Sequence, residues 1–137
     1  MILVDTNVWS EAFRPVPDPS VRSWATAHAP ALWLSSVVIG ELLSGVALMP
    51  QGQRRTAIEN GYEALIRTHA SRIAVFDLAA ARHYGSVLAR QERAGRHPGT
   101  ADTQIAATAL ARGMALATRN TRHFEGLGLH LIDPWQD

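Results

Sequence analysis

Five short apolar runs, each separated from the next by a longer stretch with helical character, constrain this chain more than any other feature. They fall at residues 2–4, 31–34, 73–76, 114–117 and 129–132. No two-residue hairpin turn joins any consecutive pair. Strands that alternate with helices and lack hairpins imply a parallel sheet with helices on both faces. The expected fold class is α/β, a three-layer α/β/α arrangement with a central, mainly parallel five-stranded sheet. The helices between the strands are read at 8–13 (one or two turns, stopped by Pro15, Pro17 and Pro19), 20–27, 37–49, 53–70, 78–94 and 101–112. Ser35 or Ser36 and Asp77 stand as N-caps, and Gly95 and Gly113 as stops.

The chain has 137 residues, a one-domain length, and its 47% apolar content suffices for one core. It is read as a single domain over 1–137, with no repeat, linker or low-complexity tract. The absence of cysteine excludes thiolate metal sites and fits a reducing cytosol, so a cytoplasmic location is expected. Residues 31–49 are nearly continuous in apolar character, but Glu41 at their centre would cost roughly 2.5–3.5 kcal/mol in a bilayer. A strand running into a buried helix explains them better, and no membrane association is expected. All thirteen cationic side chains are arginine, which removes P-loop, Schiff-base and Ser–Lys chemistry. The net charge of +1 makes no general case for nucleic acid, so any such case rests on local clustering.

In open parallel sheets ligands sit outside the carboxyl ends of the strands. Asp5 is the first residue after the first run, and Thr118-Arg119-Asn120 follows the fourth. Glu41 falls in the first two turns of the helix entered from the second strand. Asp102 falls in the first turn of the helix feeding the fourth. Taken singly, Asp5 reads as a cap or turn residue, Asp102 as a cap or a ligand, and Asn120 as a turn residue. Glu41, with Val37, Val38, Ile39, Leu42 and Leu43 around it, has no ready structural explanation. Their joint placement on one rim is what points to a site. Clustered carboxylates repel one another, and a divalent cation reverses that penalty. An all-oxygen set suits Mg2+, with Mn2+ as the alternative, and hydrolysis of phosphodiesters. Arg14, Arg119 and Arg122 are the phosphate candidates nearest in sequence, and the remaining arginines read as solvated helix faces.

At this point the chain resembles a PIN domain, most closely a VapC- or FitB-like toxin. The resemblance rests on residues 1–7 (MILVDTN), 36–42 (SVVIGEL), 101–109 (ADTQIAATA), 116–124 (LATRNTRHF) and 133–135 (DPW), which occur in family order across nearly the whole chain. It implies a metal-dependent endoribonuclease, the toxin of a type II toxin–antitoxin pair. Its partners would be an RNA substrate, a VapB-type antitoxin encoded beside it and a second copy of itself, with DNA reached only through the antitoxin. Asp5, Glu41 and Asp102 take the positions of metal-site carboxylates. Thr6 and Thr118 take positions that can support the pocket by hydrogen bonding, and Asn7 and Arg119, their neighbours in sequence, stand as further supporting or phosphate-contact candidates. The family's fourth acidic position falls on Asn120, which is neutral and can still orient water through its amide. That departure weakens the case for a second metal.

Three rivals stand beside this reading. His97 and His123 could serve as the acid–base pair of a metal-free ribonuclease. A PIN-like fold could bind RNA or a partner without cutting. The same site could serve a DNA nuclease or a phosphatase. Trp9, Phe13, Trp24 and Trp33 are read as core first and as partner contacts second.

Overall fold

The computed structural model describes every residue, Met1–Asp137. Its elements run β1 (Ile2–Val4), α1 (Thr6–Glu11), α2 (Pro19–His28), β2 (Leu32–Ser35), α3 (Ser36–Ala47), α4 (Gln53–Thr68), β3 (Ile73–Ala74), α5 (Leu78–Arg93), α6 (Thr100–Arg112), β4 (Ala115–Ala117) and β5 (Leu131–Ile132), with 3-10 turns at Ala29–Ala31 and Thr121–Phe124. The strands form one sheet in the order β3-β2-β1-β4-β5, and every pairing is parallel. Val4 of β1 pairs with Leu34 of β2 on one side and with Ala117 of β4 on the other.

The chain leaves β1 towards β2 and β3, then returns to place β4 on the opposite flank of β1. The direction of winding therefore switches between β1 and β4, where parallel sheets open a crevice at their carboxyl ends. The central strand β1 is buried on both faces, and the edge strands β3 and β5 are partly exposed. Leu3, Val4, Leu34 and Leu116 have no exposed surface, and Ile105, Ala106, Ala107 and Ala109 of α6 join them in one core cluster.

Local chemistry sets the helix limits. The side chains of Asp5, Asp18, Ser35 and Asp77 cap α1, α2, α3 and α5. Gly113 ends α6 in the left-handed region at φ 63°, and the Met114 N–H reaches back to the Ala109 carbonyl at 2.9 Å. Gly61, inside α4, lies under the edge of the Phe13 ring, where a Cβ would collide with it. The Phe13 and Tyr62 rings meet edge to face, with centroids 4.8 Å apart.

The sequence expectations hold for element type and order and differ at several ends. The first helix begins at Thr6 rather than Val8, because Asp5 caps it. β3 stops at Ala74: the Phe76 N–H turns to the Ser36 hydroxyl and leaves the ladder. β5 is confined to Leu131–Ile132. Trp9 and Trp24 are buried core, and Phe13 and Trp33 pack against that core half-buried, so the core reading stands for all four. The apolar stretch at 31–49 is divided between β2 and α3, and no helix is long and apolar enough to cross a membrane.

Candidate active site

The crevice between β1 and β4 gathers the polar residues singled out from the sequence. Asp5 leaves the end of β1 with 5% of its surface exposed, and its own N–H continues the ladder to the Ala117 carbonyl. The backbone there is extended, so one carboxylate oxygen turns back to cap α1, accepting from the Thr6 N–H at 2.8 Å. The other accepts from the Thr118 hydroxyl at 2.7 Å. Thr118 directly follows β4 and is wholly buried. Strand pairing thus delivers an acid and its hydroxyl partner to one point from 113 residues apart.

Glu41 arrives from the second turn of α3. The Thr6 hydroxyl donates to its Oε1 at 2.6 Å, which answers how a charge is tolerated among apolar neighbours. Thr6 therefore serves both acids, Asp5 through its amide and Glu41 through its hydroxyl. Asp102 lies in the first turn of α6, where the helix dipole favours a carboxylate, and its Oδ2 stands 3.3 Å from His123 Nδ1. Asn7 braces the crevice: its amide nitrogen lies 3.5 Å from both Asp5 Oδ2 and Thr118 Oγ1, and its oxygen accepts from the Arg119 N–H at 3.3 Å.

The electrostatics bind these parts together. Burial pushes the Asp5 carboxyl above its ordinary value of 3.8. The Thr118 hydroxyl and the Thr6 amide pull it back, and the charges of Asp102 and Glu41 push it up again. Asp5 feels both other acids, as three carboxylates on one rim require. They do not close into a finished cage, since no three His, Cys, Asp or Glu side chains are grouped tightly enough to grip an ion among themselves. The donor chemistry suits a hard ion that keeps part of its water shell and takes only one or two carboxylates directly.

Other expected residues fall elsewhere. Arg14 follows the end of α1 remote from Asp5 and pairs with Glu11 at 3.4 Å, so it is not a phosphate contact of this crevice. Asn120 is exposed, and its side chain makes no capping bond; only its backbone N–H joins the network, donating to Thr118 Oγ1 at 3.1 Å. Arg119 and Arg122 are exposed near the rim. His97 and His123 line a polar cavity of about 300 Å³ with Arg96 and Asp102. The nearest carboxylate to His97 is Glu92 at 3.5 Å, and its side chain is 78% exposed, so nothing fixes it as one half of an acid–base pair. Two placements escaped sequence reasoning. One is the buried Glu11, which the even polarity of α1 does not advertise; the other is Trp135, which folds back under Arg119 from three residues beyond β5.

Comparison with known proteins identifies the family. The family profile described as PIN domain matches residues 2–128, and so takes in Asp5, Glu41, Asp102 and Thr118. The chain is a PIN domain. This PIN domain is 43% identical over 138 residues to a protein named VapC ribonuclease Y4jK from Sinorhizobium fredii, covering 99% of each. It is 34% identical over 139 residues to the protein named toxin FitB from Neisseria gonorrhoeae, covering 100% of each. It also superposes on a chain of the crystal structure of FitAcB from Neisseria gonorrhoeae with a TM-score of 0.92 at 33% identity, again over the full length of both. Within the PIN domains it therefore belongs with the VapC and FitB proteins.

Proposed function

We propose that this PIN domain is a metal-dependent endoribonuclease, the toxin of a toxin–antitoxin pair, which hydrolyses RNA phosphodiester bonds at the crevice of Asp5, Glu41 and Asp102. The observation that carries this reading is the setting of Asp5: its carboxyl is pushed up first by burial and further by Asp102 and Glu41, and two donors hold its oxygens in place. A surface meant only to bind phosphate gains nothing from such a negative cluster, which argues against a non-cutting module. A cation gives the cluster a purpose.

Asp5, Glu41 and Asp102 would hold Mg2+ or Mn2+, directly or through water. When bound, such an ion supplies positive charge to the phosphoryl oxygens and lowers the pKa of water for attack in line. The chain's own groups do the positioning. Thr118 and the Thr6 amide fix the Asp5 oxygens, and the Thr6 hydroxyl fixes Glu41. Asn7 ties the ends of β1 and β4 together, and exposed Asn120 offers an amide to substrate or water. The relatives named VapC ribonuclease and toxin FitB support the activity and the toxin role. A VapB-type antitoxin, a second copy of the chain and a cytoplasmic site of action complete the proposal.

Mapping RNA ends after brief expression tests it, with Asp5→Asn as control. Cuts bearing a 5′-phosphate and a 3′-hydroxyl that vanish in the variant are expected. A 2′,3′-cyclic phosphate would instead move the chemistry to histidine, and cutting that survives Asp5→Asn would refute the carboxylate site.

A further inference from the structure

The ends of β4 and β5 leave the sheet side by side, Ala117 paired with Ile132. Two residues beyond β4 stands Arg119; three beyond β5 stands Trp135, its backbone N–H donating to Asp133 Oδ1 at 2.9 Å and its ring packed against the core. The Arg119 guanidinium carbon lies 4.9 Å from the centroid of the Trp135 ring, the one cation–π contact in the molecule.

Seven of the thirteen arginines make no side-chain ion pair or hydrogen bond, and among these Arg119 alone has its guanidinium held on an aromatic face. Arg14, Arg55, Arg96 and Arg112 are each spent on a carboxylate. Arg72 and Arg90 donate to the Leu32 and Leu127 carbonyls. Arg119 makes no ion pair and donates only its backbone N–H, to Asn7, although it adjoins Thr118, the partner of Asp5. No carboxylate fixes the position of its guanidinium. The indole face instead holds it, lowering the rotamer entropy lost when a ligand is gripped and leaving the planar fork of donors open. Such a fork matches the oxygens of a phosphate.

We propose that Arg119, held on the Trp135 indole, grips a phosphate of the RNA strand beside the bond being cut, and that Trp135 is a positioning residue acting through Arg119. The inference rests on the ribonuclease reading above and adds a substrate-contact pair outside the carboxylate cluster.

The test uses the full chain carrying Asp5→Asn, so that RNA is bound and not cut, with a short fluorescein-labelled single-stranded RNA as probe. Arg119→Gln should weaken binding about tenfold and lower the slope of log affinity against log salt by about 0.7, the value of one single-strand phosphate contact. Trp135→Leu should weaken binding about threefold, Trp135→Phe should restore it, and Arg119→Gln with Trp135→Leu should be no worse than Arg119→Gln alone. In the cutting enzyme, Arg119→Gln should raise KM and leave kcat nearly unchanged. An unaltered affinity and salt slope in Arg119→Gln overturns the inference, and strictly additive losses overturn the part given to Trp135. If the unmutated chain leaves RNA intact in Mg2+, it is the ribonuclease reading that fails, which separates the two.

Discussion

Helix α1 carries a buried carboxylate at each end, and the two behave differently. Asp5 caps its start with 5% of its surface exposed; Glu11 closes it with 4%. At the start, the helix dipole, an amide and a hydroxyl favour the charge, while burial first, then Asp102 and Glu41, oppose it. At the far end, the dipole is unfavourable, and the only partner is Arg14, 61% exposed and 3.4 Å away. There Glu11 borders a largely apolar cavity of about 470 Å³ walled by Val8, Trp9, Phe13, Val21 and Leu65, with Asp18, Arg22 and Thr26 also on its lining. Burial alone therefore does not tell the two acids apart. What separates Asp5 is the company of Asp102 and Glu41, which adds to the effect of burial, and a further positive group would favour its charged form.

The largest expected effect breaks the symmetry of the helix outright. Asp5→Asn or Asp102→Asn should lower RNA cleavage about 1,000-fold, as loss of about 4 kcal/mol of transition-state stabilisation would, while Glu11→Gln leaves it near that of the unmutated chain. Equal losses at the two ends would erase the distinction. Next, Mn2+ at about 100 times its dissociation constant should stabilise the chain by about 2.7 kcal/mol, read as a rise in Tm. Asp5→Asn should abolish that rise and Glu11→Gln should keep it.

Thr118→Val sharpens the contrast further. It removes the strongest donor to Asp5, so metal affinity or activity should fall about 10- to 100-fold. Because that bond holds the Asp5 pKa down, its loss should move the rise of the pH–rate profile to higher pH. Stability follows the same group. The folded chain keeps the Asp5 proton to higher pH than the unfolded chain, so without divalent ion this group favours folding towards acid. That contribution is lost as pH rises through the folded value, which lies above 3.8. Urea midpoints measured across pH in EDTA should show this loss, and Asp5→Asn should flatten it. The smallest effect belongs to the other end: Glu11→Leu, apolar beside an apolar cavity, should stabilise by about 1 kcal/mol, roughly 4 °C in Tm.

Much of this was legible in the residues. Ile2–Val4 ending in Asp5 reads as a buried strand with an acid at its carboxyl end, because a short apolar run cannot end in a charge without reaching a surface or a partner. Glu41 announced itself by its apolar neighbours, and its answer, the Thr6 hydroxyl, comes from 35 residues away, where sequence spacing carries no signal. Asn120 and Arg14 look alike in sequence as polar residues near the site. Strand pairing leaves the Asn120 amide exposed by the crevice, and the helix carries Arg14 to Glu11.

Apolar periodicity, caps and stops are local properties, so the order of elements, the parallel sheet and the acids at strand and helix ends were set by the sequence. Distances between remote residues are not local. Only the packed sheet decided that Thr118 meets Asp5, that Trp135 lies beneath Arg119, and that Glu11 is buried at the other end of the helix that Asp5 begins. Strand order and register fix those meetings, and both are chosen by the whole core at once.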